Sequence, residues 1–399
     1  MINISSDCPI LKVTLENLVI LLTSNGARLN PAIEIVGINK ELSIRSTIDH
    51  NNHEEIIYIP SACIPSIADF SLSLENDCLA AAPIAGKNTS KLHMDIFNLM
   101  IDIYNLTGKI KTHRKTFPNI SLINAMNIFG HLVNGSQYEI LNDRNVINDD
   151  YIIKSFISTR QFFYTENHKA RMVILPVIDY LNHHSKGIGY IRHKSKMLGN
   201  GGISTTNSKP IISSNECYTS YNNDNDALGL YMKYGYVDIY TPIARSIPFS
   251  LDFGETGKII INRKVLPKIS IGSDAQTQSL NYPKDLHYYF PEFRKTDDST
   301  LEVSSLIIPS GAAPLSLRRI LSILIRMLAS SIDNEDLLRL MVQAESTILL
   351  KNIDYYDELE SLINTESDVN ISSESKEAIQ LLIKSQKHHF SEYKKRLSN

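Results

Sequence analysis

The sequence predicts an α+β protein in which a β-rich part is interrupted by a helical block and followed by an all-helical end. Strand-like runs at residues 33–36, 42–44 and 55–59 are separated by polar turns. From Asn88 the apolar residues recur every three or four positions, which is the spacing of an amphipathic helix. From about Leu315 the pattern is helical throughout. We therefore expect a β-rich domain over residues 1–270, with a helical insertion at about 85–165, and a helical domain over residues 300–399.

The individual elements follow the same rules in chain order. Residues 10–22 are predicted to form the first helix, and Ser90 and Gly108 are the N-cap and the C-terminal stop of the next. Residues 264–300, rich in Pro, Ser and Asp, are the predicted connection between the domains. Further helical stretches are predicted at residues 121–133 and 150–164, and strands at residues 172–177, 189–193, 216–220 and 247–262, the last with a turn at residues 255–257.

Composition excludes several classes of protein. The chain has 399 residues, of which 43% are hydrophobic and 21% charged, which is enough to bury a core. A formal net charge of −3 provides no basic excess for a nucleic-acid partner. There is neither a basic leader nor a run of about 20 apolar residues that would predict a membrane span. The four cysteines lack Cys-x-x-Cys spacing and are predicted to be reduced, buried thiols. We expect a soluble cytoplasmic protein, with delivery into a host cell left open.

One segment differs from an ordinary core strand. The apolar run at residues 174–181 ends in Asn182 and His183. Tyr221 ends the later string NECYTSY, and the string KYGYVD supplies two more tyrosines. An Asn-His pair alone is an ordinary cap at the end of a strand. With tyrosines following in this order, it is typical of a cofactor site beside an aromatic channel.

These strings resemble those of SET-domain protein methyltransferases. STRQ at residues 158–161, LPVIDYLNHH, NECYTSY and KYGYVD occur in the order of that family. HEEIIYIP at residues 53–60 resembles the strand that closes the first half of its SET domain. The resemblance is to the branch of the Rubisco large-subunit methyltransferase and the actin histidine methyltransferase. It implies a SET domain split by a helical insertion, a helical substrate-binding domain, and methyl transfer from S-adenosylmethionine to a protein side chain.

By this resemblance, several segments hold the cofactor. Asn182 would bind through its side-chain amide and His183 largely through its backbone. Arg160, which the pattern places within a helix, would meet the cofactor carboxylate, with an ion pair to an adjacent acid as the alternative. The other predicted cofactor-binding residues are Tyr221 and the stretch Glu41, Leu42 and Ser43, where the family has glycines.

Tyr221 is the first predicted catalytic residue, because the resemblance directs its hydroxyl into the channel. A phenol with a pKa of about 10 is a poor general base at neutral pH, so its predicted role is to orient the nucleophile and the methyl group. Tyr234 is the second, since aromatic faces favour an incoming cation. The predicted substrate-binding residues are Gln161, Phe162, Ile178, Tyr234 and Tyr236.

The acceptor is predicted to be a lysine of a protein substrate. Phe162 and Ile178 stand where the actin histidine branch has Asn and Trp, and the more apolar slot suits a lysine stem. Two alternatives stay open: a protein-histidine methyltransferase, and a degenerate SET protein that only binds a partner, favoured by the absence of glycine at residues 41–43. Adjacent histidines at 183–184 and 388–389 lack the spacing of helical zinc sites, so no metal is expected.

Overall fold

The computed structural model describes residues 2–46, 54–116, 148–166, 169–193, 201–206, 215–221, 225–262, 289–309, 316–365 and 373–397. These residues form two compact units, the first between residues 2 and 221 and the second between residues 225 and 397. Both units mix helices and strands, which confirms the predicted α+β character. The predicted boundaries, 1–270 and 300–399, differ from this division. The predicted helix at 121–133 lies outside the described residues.

The first unit combines helices with many short strands. Its described helices are α1 (Pro9–Ser24), α2 (Lys91–Leu106), α3 (Lys109–Thr116) and α4 (Asp149–Ser158). Its described strands are β1 (Asn3–Ser6), β2 (Arg28–Leu29), β3 (Ile33–Ile38), β4 (Glu41–Ser46), β5 (Glu55–Pro60), β6 (Phe70–Glu75), β7 (Cys78–Pro83), β8 (Gln161–Glu166), β9 (Lys169–Ile174), β10 (Asn182–Ile188), β11 (Ile191–His193), β12 (Gly202–Thr206) and β13 (Tyr218–Thr219). Short 3-10 turns lie at Ser61–Cys63, Ile67–Asp69 and Ile178–Tyr180.

Local sequence explains where these helices begin and end. Ser90 caps α2 by accepting a hydrogen bond from the backbone N–H of His93 at 3.1 Å, and Gly108 follows the helix with a φ of 63°. Both were predicted, and the tolerance of Gly for positive φ explains the stop. α4 ends at Ser158, so the predicted helix through Tyr164 is wrong beyond that point. Residues 161–166 are rich in aromatic side chains and pair with β9 as a strand.

The strands of the first unit pair in several small sheets. β3 lies between β1 and β4, and a second sheet has the order β11-β12-β5-β2. β6 pairs with β7, and β8 pairs with β9. Parallel pairing of β10 with β13 aligns Asn182 with Tyr218 and His183 with Thr219. This register carries the end of β13, and with it Tyr221, to the Asn-His pair.

A hydrophobic cluster fills the first unit. α1 buries Leu11, Leu15, Leu18, Val19 and Leu22, which share one face at helical spacing. The cluster continues through the inward side chains of β3, β4 and β5 and through the buried face of α2. It thereby anchors the elements on both sides of the Asn-His segment.

The cysteines contribute no cross-link. All four are free, as predicted, but only Cys63 and Cys217 are buried, whereas Cys78 is exposed. Burial raises the pKa of the Cys63 thiol to about 11. Burial, followed by the charge of Glu216, raises the pKa of Cys217 to about 12. Both thiols are therefore poor nucleophiles at neutral pH.

The second unit carries strands as well as helices. Its described helices are α5 (Ala227–Tyr234), α6 (Ser316–Leu328), α7 (Asn334–Thr365) and α8 (Ser373–Leu397). Its described strands are β14 (Ile243–Arg245), β15 (Phe249–Asp252), β16 (Lys258–Ile261), β17 (Phe293–Asp297), β18 (Thr300–Val303) and β19 (Ile307–Pro309). A 3-10 turn at Gly254–Thr256 joins β15 to β16, close to the predicted turn. β18 and β19 contain β-branched residues and pair with other strands. The described helices that follow them begin at Ser316, next to the predicted start at about Leu315.

A buried carboxylate connects the helices of the second unit. Glu345 on α7 accepts hydrogen bonds from Arg318 on α6 at 2.5 Å and from the Tyr393 hydroxyl on α8 at 2.8 Å. Glu345 and Tyr393 are both almost fully buried. A carboxylate without such partners would be costly at this depth, so the three helices are held in one arrangement.

A buried histidine in the second unit predicts a loss of stability in acid. Burial, followed by the nearby His388, lowers the pKa of His389 from 6.5 to about 4. The folded state therefore binds the proton less well than the unfolded chain, and stability present above pH 6.5 is lost as the pH falls from 6.5 towards 4. The expected loss from this group is about 3 kcal/mol. Urea denaturation at several pH values should show a flatter dependence for His389→Gln. His388→Gln removes only the smaller of the two causes and should keep most of the slope of the parent protein. A slope for His389→Gln equal to that of the parent protein would contradict the assignment.

Candidate functional site

Tyr221 contacts the segment that contains the Asn-His pair. Its hydroxyl donates a hydrogen bond to the carbonyl of Leu181 at 2.8 Å, and its backbone N–H donates to Nδ1 of His183 at 2.9 Å. The two rings lie 5.2 Å apart between centroids. These two bonds fix both the backbone and the hydroxyl of Tyr221 against one short stretch of chain. The His183 side chain is used here to hold Tyr221, and the predicted backbone contact of His183 with a cofactor stays a prediction.

Asn182 is exposed, and its amide already has a partner. Its Nδ2 donates to Oε1 of Glu216 at 2.6 Å, and the hydroxyl of Tyr218 donates to the other carboxylate oxygen of Glu216 at 3.2 Å. The backbone of Glu216 also pairs with the backbone of Arg45, on β4, in an isolated antiparallel β-bridge. Glu216 therefore orients the Asn182 side chain, a contact that the sequence did not indicate.

The segment that leads to the Asn-His pair begins with a strained turn. Val177 has a φ of 63° and a ψ of −44°, and the N–H of Ile178 donates to the carbonyl of Pro176 at 2.7 Å. This is a γ-turn with positive φ, which is rare and unfavourable, above all for a β-branched residue. Such a conformation costs about 1–3 kcal/mol and persists only where its surroundings enforce it. Val177 is fully buried in the core, which supplies that constraint.

Arg160 lies in a buried cluster directly beside this turn. Its guanidinium donates to Oδ2 of Asp179 at 2.6 Å, and the hydroxyl of Tyr104 donates to the same oxygen at 2.9 Å. The guanidinium also lies over the rings of Tyr104, at 5.0 Å, and Phe156, at 4.7 Å. Arg160 thus occupies the turn between α4 and β8 and not the middle of a helix, because the helix has ended at Ser158. The alternative of an ion pair to an adjacent acid describes this contact.

The charges of the cluster act on one another. Burial lowers the pKa of Arg160, but the neighbouring Asp179, Tyr104 and Tyr221 outweigh it, so the pKa lies above its ordinary value. Burial raises the pKa of Asp179, which Arg160 and the Tyr104 hydroxyl partly offset. Burial and the Asp179 charge raise the pKa of Tyr104, which keeps its proton available for donation. The interaction of Arg160 with Tyr221 joins this cluster electrostatically to the predicted catalytic hydroxyl.

Three members of the cluster were missed from the sequence. Asp179 lies inside the LPVIDYLNHH string, and its acidic character amid apolar residues was the available signal. Tyr104 and Lys109 come from the helical insertion, and nothing in their local sequence links them to the Asn-His segment. Lys109 pairs with Glu41 at 2.7 Å and also acts on the charge of Asp179.

The predicted early cofactor stretch is an ordered strand. β4 pairs along β3, with Glu41 opposite Ile38, Leu42 opposite Gly37 and Ser43 opposite Val36. The Leu42 side chain belongs to the hydrophobic core, and so does that of Ile178 in the 3-10 turn. Strand β4 packs next to that turn. The predicted roles of Leu42 and Ile178 in binding therefore require contact through their backbone.

The predicted substrate side lies on β8. Phe162 is half-buried, meets the Tyr190 ring edge-on at 5.2 Å and has the Arg192 guanidinium 5.0 Å from its centroid. Gln161 begins the strand immediately after Arg160 and pairs with Ile174. β8 therefore connects the Arg160 cluster to an aromatic and cationic surface.

Tyr234 and Tyr236 belong to the second unit, whereas Tyr221 belongs to the first. Tyr234 is the last residue of α5. Asp226 caps the start of this helix, and Gly235, with a φ of 80°, follows its end. The rings of the two tyrosines lie 6.0 Å apart, and the Lys233 ammonium is 5.2 Å from the Tyr234 centroid. A shared channel of Tyr221, Tyr234 and Phe162 stays a prediction.

No group of three or more His, Cys, Asp or Glu side chains is positioned to hold a metal ion in the described part of the chain. Within the described ranges, no helix combines the length and the hydrophobicity that a membrane span requires.

Comparison with known proteins gives similarity to solved structures only. No protein-family model matches the sequence, and no curated protein matches it significantly. The SET domain of LSMT bound to lysine and AdoHcy is 12% identical, with 96% of this chain and 91% of that chain covered and a TM-score of 0.43. Rubisco LSMT bound to AdoMet is 11% identical, with 95% and 90% covered and a TM-score of 0.38.

Proposed function

We propose that this chain is an S-adenosylmethionine-dependent protein methyltransferase of the SET type and that its acceptor is a lysine. One observation carries the proposal. Tyr221 donates hydrogen bonds from its hydroxyl to the Leu181 carbonyl, at 2.8 Å, and from its backbone N–H to Nδ1 of His183, at 2.9 Å. Segments far apart in the sequence, singled out by the motif resemblance, are thus in contact in the first unit, which supports the proposal. The proposal extends to the SET identity of that unit and to substrate binding by the second.

The Arg160 cluster fits the amino-acid end of S-adenosylmethionine. The Arg160 side chain keeps 19% of its surface exposed beside its contact with Asp179. A guanidinium is a suitable partner for the carboxylate of the ligand. Asn182 and the strand Glu41–Ser46 lie on other segments of the first unit and would complete the cofactor-binding site. Bound S-adenosylmethionine supplies a methyl group on a positively charged sulfur for displacement by a nitrogen.

The protein residues would act mainly by alignment. The Tyr221 hydroxyl is held by the Leu181 carbonyl, so it is oriented before any substrate arrives. Its remaining lone pair can accept a hydrogen bond from the acceptor amine. The amine must lose a proton to react, and since a phenol is a poor base at neutral pH, water takes that proton.

A lysine acceptor suits the surface around β8. Phe162 and Tyr190 provide an apolar, aromatic wall for a four-carbon stem, and no carboxamide stands at position 162 to grip an imidazole. In this proposal Gln161, Phe162 and the backbone at Ile178 line the substrate side of the first unit. Tyr234 and Tyr236 are proposed to bind substrate from the second unit. The second unit would bind the rest of the protein substrate.

Titration calorimetry tests the cofactor seat. The purified chain should bind S-adenosylmethionine and S-adenosylhomocysteine with a Kd of about 1 µM, near −8 kcal/mol. Incubation with lysate proteins and labelled S-adenosylmethionine should then yield methyl-lysine on amino-acid analysis. Methyl-histidine instead would select the histidine alternative.

A degenerate SET protein that only binds a partner is the second candidate. Glu41 is engaged by Lys109, Leu42 is in the core and the Asn182 amide is held by Glu216, so each of these side chains already has contacts within the protein. Absence of heat on titration of a folded sample with either cofactor form would select this candidate and exclude the enzyme.

A further inference from the structure

The helical insertion supplies a residue to the candidate site. Tyr104, on α2, donates its hydroxyl to Oδ2 of Asp179 at 2.9 Å, and the same oxygen accepts from Arg160 at 2.6 Å. Tyr104 is only 1% exposed, so no solvent replaces this bond if it is lost. Its ring also lies beneath the Arg160 guanidinium. One side chain therefore fixes both members of a largely buried ion pair, whose side chains are 19% and 10% exposed.

Asp179 is the point at which the cluster meets the turn that holds Tyr221. Its backbone N–H donates to the Leu175 carbonyl at 3.0 Å, and it lies within the turn Ile178–Tyr180. The carbonyl that receives the Tyr221 hydroxyl belongs to Leu181, at the end of the same turn. Movement of the Asp179 carboxylate would therefore be transmitted over two residues to the Tyr221 hydroxyl.

We propose that Tyr104 is a positioning residue for methyl transfer, acting through Asp179 on Arg160 and on the turn that orients Tyr221. This inference rests on the proposed function and extends it to a helix outside all the motif strings. It also gives the insertion a role in the site. Tyr104 does not touch the reacting atoms and is not a catalytic residue.

The charged surroundings of Asp179 make this role measurable. The groups that face it are Tyr104 from α2, Lys109 from α3, Arg160 from the turn after α4 and Tyr180 from its own turn. Glu41 on β4 faces it through Lys109. Among these groups, the Tyr104 hydroxyl stabilises the ionised form of the Asp179 carboxylate by donating a hydrogen bond to it. Removal of that donor raises the pKa of Asp179, so the acidic limb of the rate profile moves to higher pH.

Tyr104→Phe tests the inference, with Tyr393→Phe as the matched control. Tyr393 is also a buried tyrosine that donates to a buried carboxylate, Glu345, at 2.8 Å, but in the second unit. We expect Tyr104→Phe to lower turnover about tenfold at saturating S-adenosylmethionine and to shift the acidic limb upwards. Tyr393→Phe also removes a buried hydrogen bond, but it should leave turnover at saturating protein substrate and the position of the acidic limb unchanged.

A second measurement does not depend on activity. Hydrogen exchange of the Arg160 Nε–H, followed by NMR, should be about tenfold faster in Tyr104→Phe than in Tyr393→Phe. Asp179→Asn should reproduce this change, and adding Tyr104→Phe to it should have no further effect, because the two residues act as one unit. Unchanged exchange and an unchanged acidic limb would overturn the inference. Absence of methyl transfer by the parent protein would instead reject the proposed function, while the exchange result would still decide the role of Tyr104.

Discussion

Tyr221→Phe should reduce methyl transfer by about a hundredfold while leaving S-adenosylmethionine binding nearly unchanged. The hydroxyl donates to the Leu181 carbonyl, and without it the ring keeps its contact with His183 but loses the polar group that would align the acceptor amine. The measurement is transfer of labelled methyl to lysate proteins, with calorimetric titration on the same samples. Since the backbone bond from Tyr221 to His183 is retained, the fold should survive the change.

Tyr218→Phe is the control for this experiment. Tyr218 lies on β13, and its hydroxyl donates to Glu216 at 3.2 Å. The Tyr218→Phe change removes one tyrosine hydroxyl from the same neighbourhood, so the turnover of this variant should stay within a few-fold of the parent protein. Equal turnover in Tyr221→Phe and the parent protein would eliminate Tyr221 as the catalytic residue.

Arg160→Met should lower the free energy of unfolding by about 3 kcal/mol or more. The change leaves Asp179 buried with its ion-pair partner gone, and the Tyr104 hydroxyl alone does not compensate a full charge. Urea denaturation with the slope held common to both proteins gives the difference. Asp179→Asn added to Arg160→Met should restore part of the loss, because the orphaned charge is then removed.

The matched control uses an exposed ion pair. Arg339 on α7 pairs with Asp336 at 2.8 Å, and both side chains are more than half exposed, at 64% and 52%. Arg339→Met should cost about 1 kcal/mol or less, since water already screens that pair. A loss at Arg160 no larger than the loss at Arg339 would show that the buried cluster contributes little to stability.

Much of the local structure was predictable because it depends on neighbours in sequence. The Ser90 cap and the Gly108 stop bound α2 as expected, and the helical spacing of α1 identified its buried face. The error at residues 159–164 arose where a helical period ran into a strand. Aromatic residues fit either structure, and pairing with β9 decided between them. The motif order singled out Tyr221 and the Asn-His pair, and the register of β10 and β13 brings these residues into contact.

The sequence by itself determined the α+β character and the ends of α2. It also singled out Tyr221 and the Asn-His pair as candidate site residues. Only the tertiary structure decided which groups hold those residues: Glu216 on Asn182, and Tyr104 with Arg160 on Asp179. It also decided the strained turn at Val177, which local preference opposes. The physical reason is that capping and periodicity act over a few residues, whereas a buried charge finds its partners among whatever side chains packing brings together.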